Sequence, residues 1–153
     1  MTPEPAPLNA LEARFTGGML ALNRLLMTLQ NKRMPIKGFT VGREAEPGAM
    51  RATILLECPP ETAQRYTALL SSLEDVEEVG PADEGLEIVL LKMRTEGWRE
   101  SASRLGVEAR ESGGTVVASG EPEKIEAWLG ALGEDVEDMV RLGPVARPGN
   151  GGV

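Results

Sequence analysis

The sequence predicts an α+β protein made of two tandem copies of one unit, each running strand, helix, strand, strand, helix, strand. Three observations predict it. Leu11, Ala13 and Phe15 alternate with Glu12 and Arg14, the period of a strand with one buried face. Leu22, Leu25, Leu26 and Leu29 then recur at intervals of three and four, forming one apolar stripe on a helix. The stretch Gly80-Pro81-Ala82-Asp83-Glu84-Gly85 mixes turn formers with charge, and beyond it the same succession of patterns begins again.

Taken in order, Met1–Pro7 is proline-rich and reads as a disordered tail. The first strand covers Leu8–Phe15, and Thr16-Gly17-Gly18 turns the chain into a helix over Met19–Lys32. Lys32 and Arg33 stand against the negative end of that helix's dipole. Ile36, Phe39 and Val41 mark a strand over Ile36–Arg43, followed by a turn over Glu44–Gly48 in which Pro47 and Gly48 set the backbone angles. In the strand Met50–Cys58, the residues Ala52, Ile54, Leu56 and Cys58 alternate with Arg51, Thr53 and Glu57. Pro59 ends it and Pro60 opens a helix, where a missing N–H costs nothing. Ala63, Tyr66, Leu69, Leu70 and Leu73 form that helix's buried stripe, and a short strand over Val76–Val79 closes a unit spanning residues 8–82.

The second unit is read over residues 83–145. It has a strand at Leu86–Met93 and a short helix carrying Trp98, Ala102 and Leu105. A hairpin of Val107–Glu111 and Thr115–Ser119 turns at Ser112-Gly113-Gly114. A helix opened by Pro122 carries Ile125, Trp128, Leu129 and Leu132, and the last strand is Val136–Leu142. Pro144–Val153 is rich in Pro and Gly and reads as a loose tail, with residues 146–153 outside the unit altogether. Each unit has the ferredoxin-like βαββαβ order, an antiparallel sheet with both helices on one face. The other face and the edge strands are left uncovered, and uncovered edges invite pairing, so a dimer or larger assembly is expected. Units this small are marginally stable alone.

Composition narrows the function. The formal net charge of −8 argues against a phosphate-binding surface. Two Phe, two Trp and one Tyr are too few for a base-stacking platform. The chain has no histidine, which removes the commonest general base and metal ligand. Its single cysteine, Cys58, excludes an internal disulfide and a cysteine-rich metal site. Neighbours Glu57 and Pro59 offer no cation to stabilise a thiolate, so Cys58 reads as a buried strand thiol. The carboxylate pairs Glu74-Asp75, Glu77-Glu78, Asp83-Glu84, Glu134-Asp135 and Glu137-Asp138 lie at predicted turns or helix ends and read as solvated loop residues. No catalytic, cofactor-binding or metal-binding residues are assigned. The N-terminus lacks the basic and apolar regions of a signal peptide, and no apolar run approaches the ~20 residues of a membrane span. The expected location is the cytoplasm. Thr16-Gly17-Gly18 has two readings: a plain tight turn, or a glycine turn whose unpaired helix N–H groups suit a ligand carboxylate.

Several segments carry a family resemblance: Asn23-Arg24-Leu25-Leu26, Ile36–Arg43, Glu46–Ile54, Glu87–Lys92, Ser119–Ile125 and Val140–Arg147. In this order and spacing the chain resembles the small regulatory subunit of acetolactate synthase (acetohydroxyacid synthase), whose N-terminal half is an ACT domain. The resemblance implies a subunit with no active site and no cofactor of its own. Its partner would be the large catalytic subunit, which carries thiamine diphosphate, Mg²⁺ and usually FAD. The small subunit raises the rate of that enzyme in valine, isoleucine and leucine biosynthesis, and commonly confers feedback inhibition by valine. The effector is implied to sit between two ACT domains of a homodimer, near the turn from first strand to first helix.

Over that site the chain departs from the family. Where relatives have Asn or Asp, then Gly, and later another Asn, an ungapped match places Gly17, Leu20 and Pro35. A slip of one or two residues would put Gly17 or Gly18 at the family glycine instead. The degenerate effector-binding set is Thr16, Gly17, Gly18, Met19, Leu20 and Pro35, with activation expected to persist and valine sensitivity to be weak or absent. Competing readings are a stand-alone ACT-domain amino-acid sensor acting on another enzyme or a transcription factor, an RNA-binding module sharing the strand order, and an enzyme using its carboxylates.

Overall fold

Leu11, Ala13 and Phe15 are all buried in the structure, a computed structural model that describes residues 6–82 and 85–148. They lie on β1 (Leu8–Thr16), which is followed by α1 (Gly18–Asn31), β2 (Ile36–Arg43), β3 (Ala49–Glu57), α2 (Pro60–Ser71) and β4 (Val76–Pro81). Strand order in the sheet is β2-β3-β1-β4, with every neighbouring pair antiparallel. Both helices cover one face. Leu25 and Leu29 of α1 and Leu70 of α2 meet Phe15, Ile54 and Leu56 in a single core.

The second half repeats this plan with β5 (Gly85–Met93), α3 (Trp98–Leu105), β6 (Glu108–Ser112), β7 (Thr115–Gly120), α4 (Pro122–Leu132) and β8 (Val136–Ala146). The order β6-β7-β5-β8 is the same permutation as in the first half. Its core gathers Val89, Leu91, Trp98, Ile125 and Trp128, and the Trp128 indole N–H donates to Ser101 Oγ at 3.0 Å, tying α4 to α3. The chain is thus α+β with two ferredoxin-like sheets, and it divides into the units Met1–Asp83 and Glu84–Val153.

Element boundaries differ from expectation where backbone conformation overrides side-chain periodicity. Helix α1 starts at Gly18 and ends at Asn31, so Lys32 is its C-cap and Arg33, at φ 51°, lies beyond it. Cys58 falls just past β3. β4 runs on to Pro81 and β5 begins at Gly85, which shortens the expected linker, and its Asp83-Glu84 pair lies outside the described residues. The largest correction concerns the C-terminus. Pro144, Val145 and Ala146 are not a loose tail: they extend β8, with Val145 paired to Leu86 and Ala146 to Gly85. A proline is tolerated there because β8 is an edge strand and the register shifts between Leu86 and Ile88. Pro144 is buried, and a Cβ added at Gly85 would come within 2.7 Å of the proline Cβ, so the close approach requires glycine. The tail residues 1–5 and 149–153 lie outside the described residues.

The two open sheet faces differ in chemistry. In the first unit, alternation turns Glu12 and Arg14 of β1 and Arg51 of β3 away from the helices, where they form an ion-pair network. In the second unit the corresponding face carries half-buried Ile88, Leu90 and Val117 beside exposed Val140 and Leu142. No helix among the described residues is long and apolar enough to cross a membrane.

Candidate functional site

The turn between β1 and α1 is shaped by two consecutive glycines with positive φ. Gly17 is the N-cap of α1 at φ 110°, and Gly18, its first residue, is at φ 62°. A Cβ on Gly17 would stand 3.1 Å from Ala21 Cβ and 3.6 Å from Asp75 Oδ1, so this turn has no room for a side chain without adjustment. Gly18 meets nothing within 4 Å, leaving the start of the helix open on that side. No side chain caps the helix. The turn is anchored from below by Thr16, whose N–H donates to Asp75 O at 3.0 Å.

Two hollows flank the turn. One, about 850 Å³, opens between Gly18–Met19 and the β2–β3 loop, residues 43–50. The other, about 160 Å³, lies between Ala21 and Arg24 of α1 and the segment 73–76. Arg24 Nη1 and Asp75 Oδ2 close its rim at 2.8 Å. Asp75 is therefore more than a solvated loop residue. It holds both the strand end and the first helix, a role that spacing did not reveal because its partners are 51 and 59 positions away in sequence, at Arg24 and Thr16.

Thr16, Gly17, Gly18, Met19 and Leu20 are contiguous at this turn, with Met19 73% and Leu20 61% exposed. Pro35 is elsewhere. It precedes β2, where Ile36 is level with Leu56, which is level in turn with Asn9 of β1. Thr16 lies seven residues further along β1, so Pro35 stands at the opposite end of the sheet, roughly 23 Å away at ordinary strand rise. Within one chain the six residues do not form one site.

The β2–β3 loop was also missing from the expected site. It is held by Glu44, whose carboxylate accepts from Arg14 Nε at 2.8 Å and Arg51 Nε at 3.3 Å, while Arg51 Nε lies 3.0 Å from Glu12. The Arg14 hydrogen bond, with help from Arg51, holds the Glu44 carboxyl below its ordinary pKa. The signal was present as opposite charges on β1, β3 and the turn, but only register brings them together.

Other chemistry is sparse. Cys58 is buried, and burial pushes its thiol pKa up, away from the reactive thiolate. Among the described residues, no three Cys, Asp or Glu side chains converge in a way that could hold a metal ion. Phe15, Trp98 and Trp128 are fully buried, and Phe39 and Tyr66 pack against the first core. The aromatic residues are thus committed to packing, which removes the stacking surface an RNA-binding sheet needs.

One comparison bears on all of this. Over 92% of this chain and 96% of the other, the structure superimposes on the acetolactate synthase small subunit from Thermotoga maritima, with a TM-score of 0.78 at 19% identity. The chain has the fold of an acetolactate synthase small subunit. Two further structures are less similar: an unknown protein from Galdieria sulphuraria, TM-score 0.41, 11% identical, covering 88% of this chain and 96% of that one, and the aspartate kinase of Clostridium acetobutylicum, TM-score 0.37, 11% identical, covering 80% and 32%. No protein-family model and no curated protein sequence matches the chain. The superposition covers residues of both units, so the likeness is not confined to one four-stranded module.

Proposed function

We propose that this chain is a non-catalytic regulatory subunit that binds and activates the catalytic subunit of acetolactate synthase. The observation carrying this reading is end-to-end similarity across both units, 92% of one chain against 96% of the other, rather than likeness of a single ferredoxin-like module. A shared module alone would leave function open. The thiamine diphosphate, Mg²⁺ and FAD of the reaction then belong to the partner, and this chain supplies contact and control.

The first unit is the dimerisation module in this reading. Helix α1 buries Leu22, Leu25 and Leu29, yet also exposes Met19, Leu20, Leu26 and Met27, a second apolar stripe with no use in a lone subunit. Ile36 is 41% exposed at the start of β2, an edge strand with little charge along it. Pairing two copies along this side covers both features. It also offers a way for Pro35 of the partner subunit to reach the Gly17 turn, uniting residues that lie at opposite ends of the sheet in one chain.

The resulting site is poor in polar groups. Gly17 and Pro35 bring no side-chain hydrogen bond and Leu20 is bulky and apolar, so an amino-acid effector loses about 1–3 kcal/mol for each buried group left unpaired. Valine feedback is accordingly weak or absent while activation persists. The test mixes the chain with an acetolactate synthase large subunit from the same source and measures turnover with and without valine. A rise in turnover that valine leaves largely intact is expected. Failure to co-purify and to raise the rate would refute the reading, and amino-acid binding without either would favour a stand-alone sensor.

A further inference from the structure

Four strands lie at sheet edges: β2 and β4 in the first unit, β6 and β8 in the second. β4 is short and carries Glu77, Glu78 and Pro81, and β6 carries Glu108, Arg110 and Glu111 within five residues, the features that discourage edge-to-edge pairing. β8 is different. It is eleven residues long, has β5 as its one strand neighbour among the described residues, and exposes Met139 (43%), Val140 (51%) and Leu142 (42%) in its middle.

Its charges select one way of pairing with itself. In an antiparallel pair related by a two-fold axis, opposed residues share a face, so the axis must pass through a residue. An axis at Asp138 sets two aspartates opposite each other, and one at Arg141 sets two arginines opposite each other. An axis at Val140 opposes Asp138 to Leu142 and forms no ion pair. An axis at Met139 opposes the two methionines and places Glu137 across from Arg141 twice, with no like charges opposed.

The side chains are prepared for that register. Arg141 pairs through Nε with Glu87 at 2.5 Å and through Nη1 with Glu126 at 2.9 Å, and its side chain stays 36% exposed. Among the described residues Glu137 reaches Lys92 alone, at 3.9 Å with both side chains well exposed, a contact of little worth and easily exchanged. Glu87 is 4% exposed, so the buried carboxylate fixes the guanidinium in place beforehand.

We propose that β8 pairs antiparallel with β8 of a second copy of this chain, about a two-fold axis at Met139, joining the two second units into one continuous eight-stranded sheet. The pairing gives the 137–141 stretch of β8 a second strand neighbour, buries Met139 against its counterpart and merges the two apolar open faces. It does not depend on the catalytic partner or on the first unit.

Disulfide trapping in the full chain tests both contact and register. Met139→Cys and Glu137→Cys variants are oxidised mildly, quenched with alkylating agent and run without reducing agent, with the wild type reporting the background from buried Cys58. In the proposed register the Met139 positions face each other directly, whereas the Glu137 positions are about 13 Å apart along the strand, beyond the ~7 Å that a disulfide spans. The expected result is a majority of covalent dimer for Met139→Cys and wild-type background for Glu137→Cys. Equal trapping of the two, trapping of Glu137→Cys in preference, or no trapping of either overturns the proposal. A dimer held only through the first unit would give the last outcome while still sedimenting as a dimer, so the two interfaces are judged separately.

Discussion

Glu44 shows how much a single side chain in a turn can organise. Its carboxylate joins β1, β3 and the β2–β3 loop through Arg14 and Arg51, and that loop forms one wall of the hollow beside Gly18. Because pairing lowers its pKa in the folded chain, protons bind the unfolded chain more readily. The stabilisation is therefore complete above the unfolded value, roughly pH 4.3, and is lost as pH falls through the folded one. Glu44→Gln should be less stable than wild type at neutral pH, with the difference shrinking below pH 4.3. Denaturant midpoints measured from pH 7 to pH 3 check this, and a constant gap would contradict it. The glycine turn was legible in the sequence, since two adjacent glycines before a leucine stripe have few other uses. Asp75 was not, because a carboxylate in an acidic cluster carries no mark of the partner it meets through tertiary contact.

At the scale of elements, the two halves use the same helix ending with different residues. After α3, Gly106 takes φ 74°, its N–H bonds to Ser103 O and the next N–H, from Val107, bonds to Ala102 O. After α1, Arg33 takes φ 51°, its N–H bonds to Gln30 O and that of Met34 to Leu29 O, with Met34 and Leu29 both in the core. Both are Schellman endings, but only one has the glycine that suits the left-handed position. Arg33→Gly should stabilise the chain by on the order of 0.5–1 kcal/mol, the relief of left-handed strain less the entropy glycine loses on folding. Urea denaturation reads the change, and destabilisation would show that the Arg33 side chain has a role of its own. Strands and helices were largely visible from apolar periodicity. The end of β8 was not, because Gly143 and Pro144 look like chain breakers until the register shift at Leu86 accommodates them.

For the whole molecule, the two cores share no residue. Both tryptophans are fully buried in the second core, so their fluorescence reports that unit, while far-ultraviolet circular dichroism reports both. Leu25→Ala removes a fully buried side chain from the first core at a cost of roughly 2–5 kcal/mol. The dichroism should then lose the first unit's share at lower denaturant while the fluorescence transition stays in place. A parallel shift of both signals would show that the units unfold together. The same division frames the functional proposals: β2 and the outer stripe of α1 form one unguarded side in the first unit, and β8 forms another in the second.

By itself the sequence determined the two-unit plan, the helix-facing core and the glycine turn, because apolar period and turn chemistry are local and survive in one dimension. Only the tertiary structure decided that Pro35 lies far from Gly17, that Glu44 and Asp75 anchor the walls around the turn, and that Pro144–Ala146 complete a strand. Those outcomes depend on register and strand order. They bring together residues separated by tens of positions, and no local pattern encodes which of the available opposite charges will meet.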